Sequence, residues 1–299
     1  MLTQTNTSIE NEFDALIVAA ATDTGRRRSS NEDAFRVVDL NTGSIDKDAA
    51  THAHSIGCHG ALLVVADGVG GTTGGETASR LAVETLHDML MDLPDDLSAG
   101  TRVRIAAEAA NECIWRQAQA ARNLRGMATT ATAALVQGDV ATIAQVGDSR
   151  AYLFRGGRLR QLTKDQSWAQ VLIDTGQVKP EDRGKVAHNV ITQALGASET
   201  VEPVITSVEL KADDSLLLCS DGLWDMVTDE QIRNVMFNSF NPAAACRELI
   251  TLANQRGGND NITVVIAHIE EAERTLVPLP MTLELPRLEQ YQFAHAAAA

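Results

Sequence analysis

Four aspartates stand where apolar runs start or stop. ALLVVA passes directly into Asp67-Gly68 and SLLLCS into Asp221-Gly222, while Asp33 precedes AFRVV and Asp260-Asn261 precedes ITVVIAHI. If these runs are strands of an antiparallel sheet, the end of one lies beside the start of its neighbour, and the four carboxylates gather at one edge. Carboxylates packed together repel, so they must bind protons or take a counter-charge. A divalent cation meets that need most simply. No His or Cys lies beside these acids, and ligand sets made of oxygen alone suit Mg²⁺ or Mn²⁺ better than Zn²⁺. One Asp-Gly is an ordinary turn. Its repetition at the ends of two very apolar runs is what carries the information.

The elements that must position these acids are legible from hydrophobic period. Short runs rich in Val, Ile and Leu at 15–21, 61–66, 131–136, 141–146, 215–219 and 262–269, bounded by Gly, Asp or Asn, read as strands. Residues 76–90 place Ala78, Leu81, Ala82, Leu86 and Met89 on one helical face behind a Thr73/Glu76 capping box, and 101–122 repeats the pattern. A second helical pair starts at Thr228, capped with Gln231, and at Asn241-Pro242, ending near Gly257-Gly258. Adjacent strands are joined by only a few residues, which allows hairpins and excludes parallel crossovers. The expectation is an α+β fold of mainly antiparallel sheets covered by paired helices.

Residues 163–196 hold a short apolar helix pattern (Trp168, Val171, Leu172) and then a polar stretch without one period, read as a mobile surface flap. The polar insertion 39–60, with His52, His54 and His59, reads as a solvated loop, because its spacing does not establish metal-ligand geometry. A flexible N-terminus over 1–13 and a proline-containing extension over 271–299 are expected to flank a domain at 14–270.

The chain has 299 residues, 44% of them hydrophobic, and a formal charge of -15. That is enough for a large core, and the acidic balance argues against nucleic-acid or anionic-membrane binding. The N-terminus lacks a secretory pattern, and the apolar runs fall far short of the roughly 20 residues that span a bilayer. Cys58, Cys113, Cys219 and Cys246 are scattered without a C-x-x-C pair, which fits a reducing, cytoplasmic setting.

The segments DTGRRRSSNEDAF (23–35), VVADGVGG (64–71), GMATTATAAL (126–135), VGDSRAYLFRGG (146–157), LTKDQS (162–167), SDGLWD (220–225) and GGNDNIT (257–263) occur in this order. In types and order they resemble the PP2C (PPM) family of metal-dependent serine/threonine protein phosphatases, bacterial in its DGVGG and GDSRAY forms. The resemblance implies an α-β-β-α sandwich and hydrolysis of phosphoserine and phosphothreonine by a metal-activated water. It implies a binuclear Mg²⁺ or Mn²⁺ centre in which Asp67 bridges both ions, the Gly68 carbonyl and Glu32 serve the first, and Asp221 and Asp260 serve the second. Asp33 orients bound water from behind, Arg28 holds the substrate phosphate, and Asp148 with Asp225 forms a third, weaker metal site. Arg26 and Arg27 fall out of register and are expected to be solvent-facing or structural. The implied partners are phosphorylated proteins and a cognate serine/threonine kinase, and the implied state is a monomer.

Each role makes chemical sense. Paired cations activate water near neutral pH and neutralise charge as it attacks phosphorus, and a guanidinium offers bidentate donors to phosphate. Two positions depart from the family pattern. Val69 replaces a histidine that can protonate the leaving group in many eukaryotic members, and Gln166 replaces another histidine. A P-loop enzyme is disfavoured because Glu76-Thr77 follows the Gly70-to-Gly75 spacing where Lys should stand. A Cys-x5-Arg phosphatase is excluded, since Val64, Gln119, Asp225 and Leu252 lie six residues past the cysteines. The remaining rival is a noncatalytic phosphoprotein-binding or regulatory protein of the same fold.

Overall fold

The computed structural model describes residues 13–46, 52–55, 59–69, 74–187 and 190–271. Thr73, Gly70 and Cys58, the N-terminus to residue 12, and the extension from 272 onward lie outside the described residues. The strands are β1 (Phe13–Asp23), β2 (Ala34–Asp39), β3 (Ser44–Asp46), β4 (His52–Ser55), β5 (Ala61–Ala66), β6 (Gly68–Val69), β7 (Ala128–Thr129), β8 (Ala131–Gln137), β9 (Val140–Val146), β10 (Arg150–Arg155), β11 (Arg158–Gln161), β12 (Val204–Glu209), β13 (Ser215–Cys219) and β14 (Ile262–Glu271). The helices are α1 (Gly74–Asp92), α2 (Ala99–Ala120), α3 (Trp168–Asp174), α4 (Asp221–Trp224), α5 (Asp229–Asn238) and α6 (Pro242–Gln255).

Two six-stranded sheets face each other, one ordered β11-β10-β13-β14-β1-β4 and the other β12-β9-β8-β5-β2-β3. Every pairing between these strands is antiparallel, as the short connections of β2-β3, β8-β9 and β10-β11 require of those pairs. α1 and α2 cover the outer face of the second sheet; α4, α5 and α6 cover that of the first. The result is a four-layer α-β-β-α sandwich.

This layering explains why β5 is apolar at every position. Leu62, Val64 and Ala66 pack against α1 and α2, whereas Ala61, Leu63 and Val65 enter the space between the sheets. An antiparallel strand with both faces buried loses the usual alternation of apolar and polar residues. β13 behaves the same way: Leu216 and Leu218 face the other sheet, and Leu217 and Cys219 face the helices.

The caps read from sequence are present in the second helical pair. Thr228 and Gln231 close a capping box on α5, and Asn241 Oδ1 accepts from Ala244 N at 2.9 Å ahead of Pro242 in α6. The insertion at 39–60 is more ordered in its described parts than the loop expected. It supplies β3 to an edge of one sheet and β4 to an edge of the other. Edge strands need only one hydrogen-bonded side, so even a polar segment with little apolar content serves. His59 Nδ1 lies 3.2 Å from Asp95 Oδ1.

Candidate metal centre

The four aspartates do come together, but not at one sheet edge. Asp33 and Asp67 come from β2 and β5 of one sheet, and Asp221 and Asp260 from β13 and β14 of the other. They meet at one end of the sandwich, across the seam between its sheets. Arg28, Glu32, Asp67, Gly68, Asp148, Asp221 and Asp260 line a single pocket of about 270 Å³, with Val69, Thr130 and Ile191 completing the wall. Among the described residues Asp225 is not part of that lining. It follows the last turn of α4, donates its N–H to the Asp221 carbonyl at 2.9 Å, and its charge raises the Asp221 pKa.

Polar residues that no sequence pattern marked hold the loops in place. Asn261 Nδ2 donates to the carbonyls of Thr24 and Ser30, both at 2.9 Å, and its Oδ1 accepts from Glu32 N at 2.8 Å. One side chain thus fastens the loop carrying Arg28 and Glu32 to the start of β14. Asp33 Oδ2 accepts from Ser220 Oγ and Thr263 Oγ1, both at 2.7 Å, which ties the two sheets together beneath the pocket. Thr130 Oγ1 accepts from Asp67 N at 3.0 Å, and Thr129 Oγ1 donates to Asp67 O at 2.8 Å.

The two Asp-Gly glycines are required for close approach rather than for unusual dihedrals. A Cβ on Gly68 would lie 2.4 Å from the Gly75 backbone and 2.5 Å from the Glu32 carbonyl. One on Gly222 would lie 2.1 Å from the Asn261 carbonyl. Each glycine lets the strand end carrying an aspartate touch a neighbouring ligand loop.

Electrostatics within the pocket are those of crowded, buried carboxylates. Burial, then the charges of Asp33, Asp221, Asp148 and Asp260, hold Asp67 well above the usual range. Burial pushes Asp33 to about 7 against the hydroxyl bonds that lower it. Burial, with the Asp260 charge, raises Asp221 to about 6, and burial with Asp221 and Asp165 raises Asp148 to about 8. Asp33 Oδ1 and Asp221 Oδ1 are buried without a hydrogen-bond partner. Buried acceptors are seldom left so, and the oxygen-only donor set fits a hard divalent cation.

Among the described residues no three His, Cys, Asp or Glu side chains stand as a ready cation cage. Asp260 Oδ2 is turned instead onto Arg28 Nη2 at 2.6 Å, and Asp67 shares a hydrogen bond with Asp221. The Arg28 side chain is 54% exposed and Asp260 31%, so this ion pair is well solvated and easily exchanged for a cation or a phosphate. Arg26 and Arg27 are exposed, and their backbone N–H groups donate to the Gly258 carbonyl.

Behind Asp148 lies a buried network. Trp224 Nε1 donates to the Asp148 carbonyl at 3.1 Å, and the Arg150 guanidinium stacks 3.8 Å from the Trp224 ring. Asp165 accepts from Arg150 through two bonds and from Arg183 as well. Asp165 and Arg183 belong to the 163–196 segment, so this cluster pins that segment beside the pocket. Trp168 and Val171, expected as an apolar helix face, are largely exposed, and Ala169 is the buried residue of α3.

The chain belongs to the protein phosphatase 2C family, which it matches over residues 38–255. That span holds Asp67, Asp148, Asp221 and Asp225, but not Arg28, Glu32, Asp33 or Asp260. Among similar proteins, the serine/threonine protein phosphatase PstP of Mycobacterium tuberculosis is 40% identical over 222 residues, covering 74% of this chain. The chain spans only 42% of that relative's length. The serine/threonine phosphatase stp of Listeria monocytogenes is 35% identical over 249 residues, covering 82% of this chain and 92% of that protein. Of solved structures, the PstP catalytic domain in complex with two manganese ions aligns with a TM-score of 0.71 at 36% identity, covering 86% of this chain and 100% of that one. Stp1 of Staphylococcus aureus aligns at 0.76 and 30% identity, covering 90% and 100%.

Proposed function

We propose that this chain is a protein serine/threonine phosphatase that hydrolyses phosphoserine and phosphothreonine at a binuclear Mn²⁺ or Mg²⁺ centre. The observation that carries this reading is the pocket in which carboxylates from both sheets converge beside the exposed Arg28. Asp67 and the Gly68 carbonyl, with Glu32 on one side and Asp221 and Asp260 on the other, would hold the ions. Cations bound there supply an activated water at neutral pH and neutralise charge building on the phosphoryl group. Arg28, released from Asp260, presents a planar donor pair to two phosphate oxygens. Asp33, fixed by Ser220 and Thr263, keeps an unpartnered oxygen that would orient water bound in the centre. Asp148, with Asp225 one turn beyond Asp221, is assigned to a third and weaker site.

Val69 has no titratable group, so the leaving alkoxide is not protonated from that position, and a water bound in the centre would supply the proton. The partners proposed are phosphoproteins made by a serine/threonine kinase, met by a monomeric chain in signalling. A cytoplasmic location is supported by the free thiols of Cys113, Cys219 and Cys246. Among the described residues no helix is long and apolar enough to cross a membrane.

The test is phosphate release from p-nitrophenyl phosphate and from a phosphothreonine peptide, with Mn²⁺, Mg²⁺ or chelator. Metal-dependent turnover of both is expected. Tight phosphopeptide binding by metal-loaded protein without turnover would instead establish the noncatalytic reading.

A further inference from the structure

A second groove, of about 300 Å³, opens off the carboxylate pocket, and the two share Val69 and Ile191 as a common wall. Its remaining surface comes from apolar Ala128, Ala194 and Ala197 and from the uncharged polar side chains of Thr192, Gln193, Ser198 and Thr200. Among the described residues no ionisable side chain lines it. On a chain of net charge -15, and directly beside a pocket walled by carboxylates, an uncharged groove is a marked change of chemistry.

The groove is also firmly built. Thr129 and Leu195 exchange backbone hydrogen bonds in both directions, at 3.0 and 2.8 Å, joining its two sides. Buried Asn111 reaches from α2 to accept from Gly196 N at 2.8 Å and donates to the carbonyls of Ser198 and Glu199. Gly196 has φ +82°, and a Cβ there would lie 2.2 Å from Ile114 Cγ2, so the turn sits directly on the helical layer. Gln193 and Glu202 complete the far side with a reciprocal pair of bonds at 3.0 and 2.9 Å. A preorganised, uncharged surface with an apolar side at Val69, Ala128, Ile191, Ala194 and Ala197 binds at a reduced ordering cost.

We propose that this groove seats one aliphatic side chain of the substrate next to its phosphorylated residue, and so selects phosphosites with an apolar neighbour over those with acidic neighbours. The proposal rests on the phosphatase reading above. Its geometric basis is continuity: a peptide whose phosphate lies against Arg28 runs at about 3.3–3.6 Å per residue, which puts flanking side chains over the adjoining groove. Val69, 40% exposed, then acquires a role as the wall that both spaces share. Burial of one aliphatic side chain supports a discrimination of roughly 10- to 100-fold.

The experiment uses the full chain with Mn²⁺ and a phosphothreonine peptide in which each of three positions on either side is set in turn to Leu, Ser, Lys or Glu. p-Nitrophenyl phosphate, which has no flanking residue, is the control. Leu at one position is expected to raise kcat/KM about 10-fold or more over Ser, with Glu the poorest. Ala197→Asp, an exposed groove position that does not line the carboxylate pocket, is expected to abolish the preference for Leu while leaving p-nitrophenyl phosphate turnover unchanged. A flat positional scan with normal p-nitrophenyl phosphate turnover would overturn the groove assignment alone. An Ala197→Asp variant that retained the full preference for Leu would overturn it as well. Loss of turnover on every substrate with metal present would overturn the phosphatase reading itself, and this proposal with it.

Discussion

Asp221 is half-buried, has one buried oxygen without a partner, and is raised to about 6 by burial and the neighbouring Asp260 charge. In the absence of metal its charge therefore opposes folding. Asp221→Asn keeps the shape and removes that charge, so it should raise the melting temperature measured in chelator while lowering kcat by on the order of 10²- to 10³-fold or more. The thermal shift on adding Mn²⁺ should shrink at the same time. A variant that melts lower than wild type in chelator would show that the carboxylates are not under mutual strain. The acids themselves were legible because each follows or precedes an unmistakable strand. Asn261, Ser220, Thr130 and Thr263 were not, because polar residues at strand ends are commonplace. What distinguishes them is a partner far away in sequence, such as the 187-residue separation between Asp33 and Ser220.

At the scale of elements, the apolar runs located the strands next to the four aspartates, but not the short β6 and β7, and assigned their ends to one sheet edge. Strands such as β5 and β13 are buried on both faces and show no alternation, so nothing local states which sheet each joins. The division into two sheets is decided by tertiary packing. What lets two sheets bring their ends so close is the pair of Asp-Gly glycines, and Gly222 offers the clearest test. Its added Cβ would lie 2.1 Å from the Asn261 carbonyl, the residue that holds the Arg28 and Glu32 loop. Gly222→Ala should cost about 1–3 kcal/mol in urea unfolding, and should also weaken metal binding by displacing that loop. Gly184→Ala, where a Cβ meets nothing within 4 Å, is the control and should be near neutral. Equal stability for the two variants would mean that the strand ends have room to separate. The network of Asp165, Arg150 and Arg183 belongs to this scale too. A polar segment without one period gave no sign that its acid would be buried between two guanidinium groups.

For the whole molecule, the raised carboxylates make stability and metal binding functions of pH. Asp33, Asp221 and Asp148 ordinarily titrate near 3.8 and are shifted to about 7, 6 and 8 in the folded chain. Between those limits the native state binds more protons than the unfolded state, so the stability these groups permit is fully present below about pH 4 and is lost as pH rises through 6 to 8. The Lys164 hydrogen bond lowers the Asp174 pKa and acts in the opposite direction at lower pH, which places the informative window between pH 5.5 and 8. In chelator the melting temperature should fall across that window. A cation competes with the same protons, so affinity for Mn²⁺ should rise with pH, and the thermal shift on saturating Mn²⁺ should be larger at pH 8 than at pH 5.5. Calorimetric titration at several pH values, in buffers of different ionisation enthalpy, would count the protons released on binding. Net release near pH 6, fading toward pH 8, is the outcome expected if these acids are the ligands and their supports. A Mn²⁺ affinity independent of pH, with no proton release, would place the metal on groups already ionised and remove the buried cluster from the reaction.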